Sequence, residues 1–145
     1  MDEFHNRNAL HRFVASGAGL LMFAAPFAIG IAMADDAACA QISAANLKWG
    51  AVKGGKVSMT KSGVDFAKAT PQIYGFGAHT CSFLRDENVA GEAAAVYSET
   101  YTADVGSTHA QIWVSKKSGL LLKEEEDGDV KGKGKGHISG LFSGG

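Results

Sequence analysis

The apolar positions follow two different periods, one up to Gly50 and another after it. Asp35-Asp36 leads into AACAQISAANLKW, in which Ala38, Ile42, Ala45 and Trp49 recur at helical spacing. Two acids at the start of that run sit at the positive end of the helix dipole. One short helix is predicted, with Cys39 on its first turn. Beyond Gly50 the texture changes to strand alternation. KVSMT at residues 56–60 places Val57 and Met59 on one face, and Ser62-Gly63 supplies a turn before VDFA. Thr70-Pro71 suits the start of a short helical turn through QIYGFGAHT, with Thr as the cap and Pro at the first helical position. Gly75 and Gly77 weigh against it.

From Cys81 onward the pattern is strand and turn. CSFLRDE is followed by a turn at NVAGE, and AAAVYSETYTA then carries Tyr97 and Tyr101 on one side and Val96 on the other. Residues 104–108 read as a loop. HAQIWVS places Ala110, Ile112 and Val114 on one face, and His109, Gln111, Trp113 and Ser115 on the other. Residues 116–119 form a turn, and LLLKEEE makes the next strand with Leu120 and Leu122 on the same side.

The acidic run EEEDGD runs almost directly into KGKGKGHISG. If Gly128-Asp129 is a two-residue hairpin turn, Asp127 faces Val130, Glu126 faces Lys131, Glu124 faces Lys133 and Leu122 faces Lys135. Each acid–lysine pair then contributes a few tenths of a kcal/mol, on the order of 0.3. The other face carries Gly132, Gly134, Gly136, Ile138, Gly140 and Phe142, where missing side chains admit another backbone or a ligand. A turn moved by one residue would exchange the two faces.

The N-terminus changes what counts as the folded chain. A leader with Arg7 and Arg12 precedes an apolar run from Phe13, interrupted by Pro26 and Gly30 and ending Ala32-Met33-Ala34. We read residues 1–34 as a signal peptide cleaved after Ala34, in preference to a retained membrane anchor, and residues 35–145 as one small domain. Removing Asp2, Glu3, Arg7 and Arg12 with the leader leaves the net charge at −1, so no general attraction to nucleic acid or anionic lipid follows. Membrane contact is at most transient. Export puts Cys39 and Cys81 in an oxidising compartment, where a lone pair becomes a disulfide. A structural bridge is expected rather than a redox centre, because there is no Cys-x-x-Cys and a His79-Thr80-Cys81 neighbourhood does not by itself make a reactive thiolate.

Chemical motifs are sparse. Asp127-x-Asp129-x-Lys131-Gly132 has lysine where a calcium loop needs an oxygen ligand, and its twelfth position is Ile138. His79, His109 and His137 lack metal-ligand spacing, so no metal site is expected. There is no nucleophile elbow and no phosphate loop, and the reading is non-enzymatic, without catalytic residues or cofactors. The C-terminal lysines adjoin acids, with only Phe142 as a neighbouring aromatic, which excludes nucleic acid as the expected partner.

NVAGEAAAVYSETYTADVGSTHAQIWVSKKSGLLLKEEE resembles the pattern G-x-x-A-x-V-Y … W-(I/V)-S-x-x-(S/T)-G-L-P-L-(K/R). The matching residues are Gly91, Ala94, Val96, Tyr97, Trp113, Val114, Ser115, Gly119, Leu120, Leu122 and Lys123; Leu121 stands where proline is usual. That pattern is found in small exported proteins of the LolA/LolB-type lipoprotein-carrier superfamily. The resemblance covers the C-terminal half only. It implies a curved antiparallel sheet, an incomplete barrel wrapping a helix or an acyl chain. The expected fold is thus α+β, an N-terminal helix packed on a curved antiparallel sheet. The expected function is to bind or carry a hydrophobic or lipid-like ligand, in a protein that is periplasmic or secreted after cleavage of the leader. Lining positions are Val96, Ile112, Val114, Leu120, Leu122, Ile138 and Phe142, unless these simply form the core. The alternative is a structural or protein-interaction module of the envelope, meeting its partner through a sheet edge or the charged hairpin.

Overall fold

The computed structural model describes residues 36–144. The expected leader and its cleavage site lie outside the described residues. Helix α1 spans Asp36–Gly50, with Asp36 in its first turn and Lys48 in its last, each suited to the local end of the dipole. It buries Ala38, Cys39, Ile42, Ala45 and Trp49, the stripe that the spacing predicts, together with Asn46.

Six strands follow: β1 (Lys56–Gly63), β2 (Ala78–Val89), β3 (Glu92–Ala103), β4 (Gly106–Ser115), β5 (Leu121–Val130) and β6 (Gly134–Ser143). They form one antiparallel sheet in the order β1-β6-β5-β4-β3-β2. Strands β2 to β6 are a meander, and β1 adds to its far side by pairing with β6. The sheet is open, with β1 and β2 at its edges. The β2–β3 turn is only Ala90-Gly91, at φ 50° and 85°, the left-handed pair of angles that matches the twist of a two-residue hairpin. The loop expected at residues 104–108 is shorter, because β4 already begins at Gly106.

The β5–β6 hairpin differs from expectation. Its turn lies at residues 131–133, with Gly132 at φ 77°, and β5 runs straight through Gly128-Asp129. Gly128 therefore pairs with Gly136, Asp127 with His137, Asp129 with Lys135 and Glu126 with Ile138. The proposed Glu126–Lys131 and Glu124–Lys133 pairs do not form. The physical reason is Phe66. After β1 the chain crosses back over the sheet, the Val64 amide donating to the Lys135 carbonyl at 2.9 Å. VDFA then enters a 3-10 turn, Phe66–Lys68, capped by Asp65, whose carboxylate accepts from the Ala67 amide at 3.1 Å. The Phe66 ring, 1% exposed, lies over Gly128, where any Cβ would collide with it, and beside Gly136, where a Cβ would meet the Val64 carbonyl first and come to 3.0 Å from the ring. Burying a phenylalanine is worth about 1.5–3 kcal/mol, whereas surface acid–lysine pairs offer about 0.2–1 kcal/mol. The register that seats the ring wins.

A short helix, α2, spans Thr70–Phe76. Its N-cap is Ala69 rather than Thr70, and the Thr70 hydroxyl donates back to the Phe66 carbonyl at 3.1 Å; Pro71 sits at the helix start as expected. Gly77 stops the helix in extended conformation, its amide donating to the Ile73 carbonyl.

A second correction concerns the leucines. Val114 pairs with Leu121 and Trp113 with Lys123, so Leu122 is the extra residue of a bulge. Leu120 precedes the strand and packs with Leu121 against the α1 cluster, whereas Leu122 joins Trp113 in a separate cluster. The two do not share a side.

Candidate functional site

The cavity beside Phe66, lined by residues of the β1–Phe66 crossing together with His137 and Ile138, encloses about 90 Å³. Ligand pockets for drug-sized molecules are about 300 Å³ or more. The chemistry of the described residues is concentrated instead where α1 meets β2.

Cys39, on the first turn of α1, is disulfide-bonded to Cys81 in β2, with Cα atoms 5.2 Å apart. The bridge that the sequence implies is present. His79 lies two residues before Cys81 and so on the same face of β2. Its Nε2 stands 3.3 Å from Cys81 Sγ and 4.0 Å from Cys39 Sγ. The same nitrogen is 2.8 Å from Glu99 Oε1. Register explains the convergence, because β3 sets Glu99 directly opposite Cys81, and Tyr101 opposite His79. The Tyr101 ring stacks on the imidazole at 4.1 Å between centroids and 8° between planes, and its hydroxyl donates to Glu99 Oε1 at 3.3 Å. The Glu99 side chain is 12% exposed and that of His79 26%, so the imidazole forms the rim of the group.

The polar seam continues under α2. Tyr74 packs on Tyr101 with centroids 4.4 Å apart, and its hydroxyl donates to Glu126 Oε1. Glu126, in β5, is buried. Burial raises the Tyr74 hydroxyl above its ordinary pKa, and the negative charges of Glu126 and Glu124 push the same way. Hydrogen bonding to Tyr74 offsets part of the cost of burying a carboxylate under the helix.

The seven expected lining positions fall into three clusters. Ile112, Val114 and Phe142, with Leu120 at the margin, pack with Ile42, Ala45 and Trp49 of α1; the Trp49 and Phe142 rings meet edge to face at 5.2 Å. Ile138 packs with Phe66 and Val130. Val96 and Leu122 gather with Ala94 and Trp113, a cluster that no α1 residue joins.

Two features escape sequence reasoning. The first is the convergence on Cys81: the His79-Thr80-Cys81 adjacency is legible in the chain, but only helix docking and strand register bring Cys39 and Glu99 to it. The second is the β2 edge, where residues 82–88 are exposed and Phe83 and Leu84 are 49% and 43% accessible. The Phe83 side chain rests against Tyr97 at 5.8 Å. Among the described residues no helix is long and apolar enough to cross a membrane. Comparison with family models, with curated proteins and with solved structures finds no match for this chain.

Proposed function

We propose that this protein is a non-catalytic binding module of the periplasm that receives an extended segment of another envelope protein along β2. The observation that carries the reading is the run of exposed positions at residues 82–88, on an edge strand, with Phe83 and Leu84 presented to solvent. An edge strand offers unpaired backbone groups, and a peptide that adds to it gains main-chain hydrogen bonds while side-chain contacts supply selectivity. The opposite edge carries Lys56 and Lys61, residues of the kind that discourage strand addition. The charges on β2 are matched within the molecule: Arg85 pairs with Glu87 at 2.7 Å, and Asp86 with Lys116 at 2.7 Å. The partner segment is therefore apolar and largely uncharged.

The disulfide and the A-x-A ending of the leader support export. The lipid-carrier reading draws on the resemblance and on a helix lying over a sheet. It requires α1 to withdraw, because Ile42, Trp49, Ile112, Leu121 and Phe142 occupy the space between helix and sheet.

A photocrosslinking residue placed at Leu84, and separately at Ser58 on the β1 edge, tests the proposal in cells. Crosslinking to a discrete envelope polypeptide from Leu84 and not from Ser58 is expected, and the purified partner should lose at least tenfold in affinity with Phe83→Lys or Leu84→Lys. Equal crosslinking from both edges, or none from Leu84, overturns it. A co-purifying lipid in native mass spectra, removed together with α1 contacts, would establish the carrier instead.

A further inference from the structure

We infer that Cys39, Cys81, His79 and Glu99 form a tetrahedral site for a zinc-class divalent ion once the disulfide is reduced. Cys39, His79 and Cys81 each offer one ligand atom, and these atoms lie within 4.8 Å of one another. Zinc–sulfur bonds of about 2.3 Å and zinc–nitrogen bonds of about 2.0 Å put tetrahedral ligand atoms roughly 3.5–3.8 Å apart. The Nε2–Sγ distances of 3.3 Å and 4.0 Å bracket that spacing. Glu99 Oε1, 2.8 Å from the same nitrogen, stands outside that group of three and supplies the fourth ligand, an oxygen, once its side chain turns toward the sulfurs.

The group is held in place without the sulfur–sulfur bond. Cys81 and His79 belong to β2, Glu99 is fixed opposite by the β2–β3 register, and Tyr101 both stacks on the imidazole and donates to the carboxylate. Such outer contacts orient ligands before a metal arrives. Only Cys39 comes from elsewhere, and α1 is anchored independently through Ile42, Ala45 and Trp49. Cys39 is 9% exposed and Cys81 4%, so bulk water has little access to the sulfurs, while His79 at the rim leaves an entry path.

The chemistry balances with a dithiol as reductant. It delivers two electrons to the Cys39–Cys81 bond and closes to its own disulfide, leaving two cysteine thiols. As the ion binds, both thiols release their protons to solvent, and two thiolates, a neutral imidazole and a carboxylate surround it. The oxidised protein lacks both thiolates and has no such site. Redox state is thereby converted into metal occupancy at the disulfide that ties α1 to β2. The proposal does not depend on the β2 edge.

The test uses the full protein, reduced with a dithiol, desalted anaerobically and titrated with zinc, and with cobalt as the spectroscopic probe. One ion per chain is expected, with thiolate-to-cobalt charge transfer and tetrahedral visible bands, and with affinity at least a hundredfold above that of the disulfide form. His79→Ala should weaken binding at least tenfold, and Glu99→Gln should change the visible bands while keeping the charge transfer. Absence of uptake by the reduced protein overturns the inference, as does His79→Ala binding with wild-type affinity and spectrum. Circular dichroism covers the case in which reduction unfolds the chain: refolding by one equivalent of zinc supports the site, and failure to refold overturns it.

Discussion

The two ends of the sheet's helix-bearing face solve one packing problem with opposite distributions of volume. Under α1 the sheet supplies large side chains, Ile112, Leu121 and Phe142, which pack against Ile42 and Trp49 of the helix beside the disulfide. Under the β1–β6 crossing the sheet supplies glycine, at Gly128 and Gly136, and a single large ring, Phe66, fills the space. Between them, beneath α2, lies a third material, the polar seam of Tyr74, Glu126, Tyr101, His79 and Glu99. The difference teaches that strand alternation specifies which face is covered, but not whether helix, ring or hydrogen bond covers it.

Removing the covalent tie at the α1 end should have the largest effect. Cys39→Ser with Cys81→Ser is expected to cost about 4 kcal/mol, from the loop of 42 residues that the bridge closes, measured by urea unfolding. A loss below about 1 kcal/mol would mean that apolar contact alone holds α1. At the opposite end Gly136→Val should cost about 3 kcal/mol, since a Cβ there overlaps the Val64 carbonyl and comes to 3.0 Å from Phe66 Cδ1. Tolerance of valine would show that the ring does not need the glycine floor.

The seam gives a smaller, pH-dependent signal. Tyr74→Phe leaves the buried Glu126 carboxylate without the Tyr74 hydroxyl and should cost about 1–3 kcal/mol at neutral pH. Because folding raises the Tyr74 pKa, the folded state keeps a proton that the unfolded state releases above its ordinary value of about 10. That contribution is fully present below pH ~10 and falls by about 1.4 kcal/mol per pH unit above it. The difference between wild type and Tyr74→Phe in alkaline unfolding should therefore shrink as pH rises; a constant difference would contradict the assignment. The smallest effect is expected at the exposed His137–Asp127 pair, 2.7 Å apart, where His137→Ala should change stability by less than about 0.5 kcal/mol.

Much of the architecture was legible in the chain. The stripe Ala38, Ile42, Ala45, Trp49 marks α1, and the alternation of Val96 against Tyr97 and Tyr101, and of Ile112 and Val114 against Trp113, reports the faces of β3 and β4 as observed. The even-numbered face of β6 was also readable, since Gly136, Ile138, Gly140 and Phe142 are all buried. Register was not. Gly128-Asp129 looks like a turn because glycine serves turns and close approaches alike, and only the location of Phe66, distant along the chain, distinguishes the two uses. The metal-ligand geometry was hidden for a related reason: His79 and Cys81 are close in sequence, but Cys39 and Glu99 join them only through helix docking and strand pairing.

By itself, then, the sequence determined the local periods, the helix stripe, the strand faces and the presence of two cysteines. These follow from backbone geometry and solvation, which act over a few residues. Tertiary structure alone decided the hairpin register, the covering of glycine by Phe66, the burial of Glu126 and the convergence of an imidazole and a carboxylate on the disulfide. Each of these depends on excluded volume or hydrogen bonding between elements that no local rule places together.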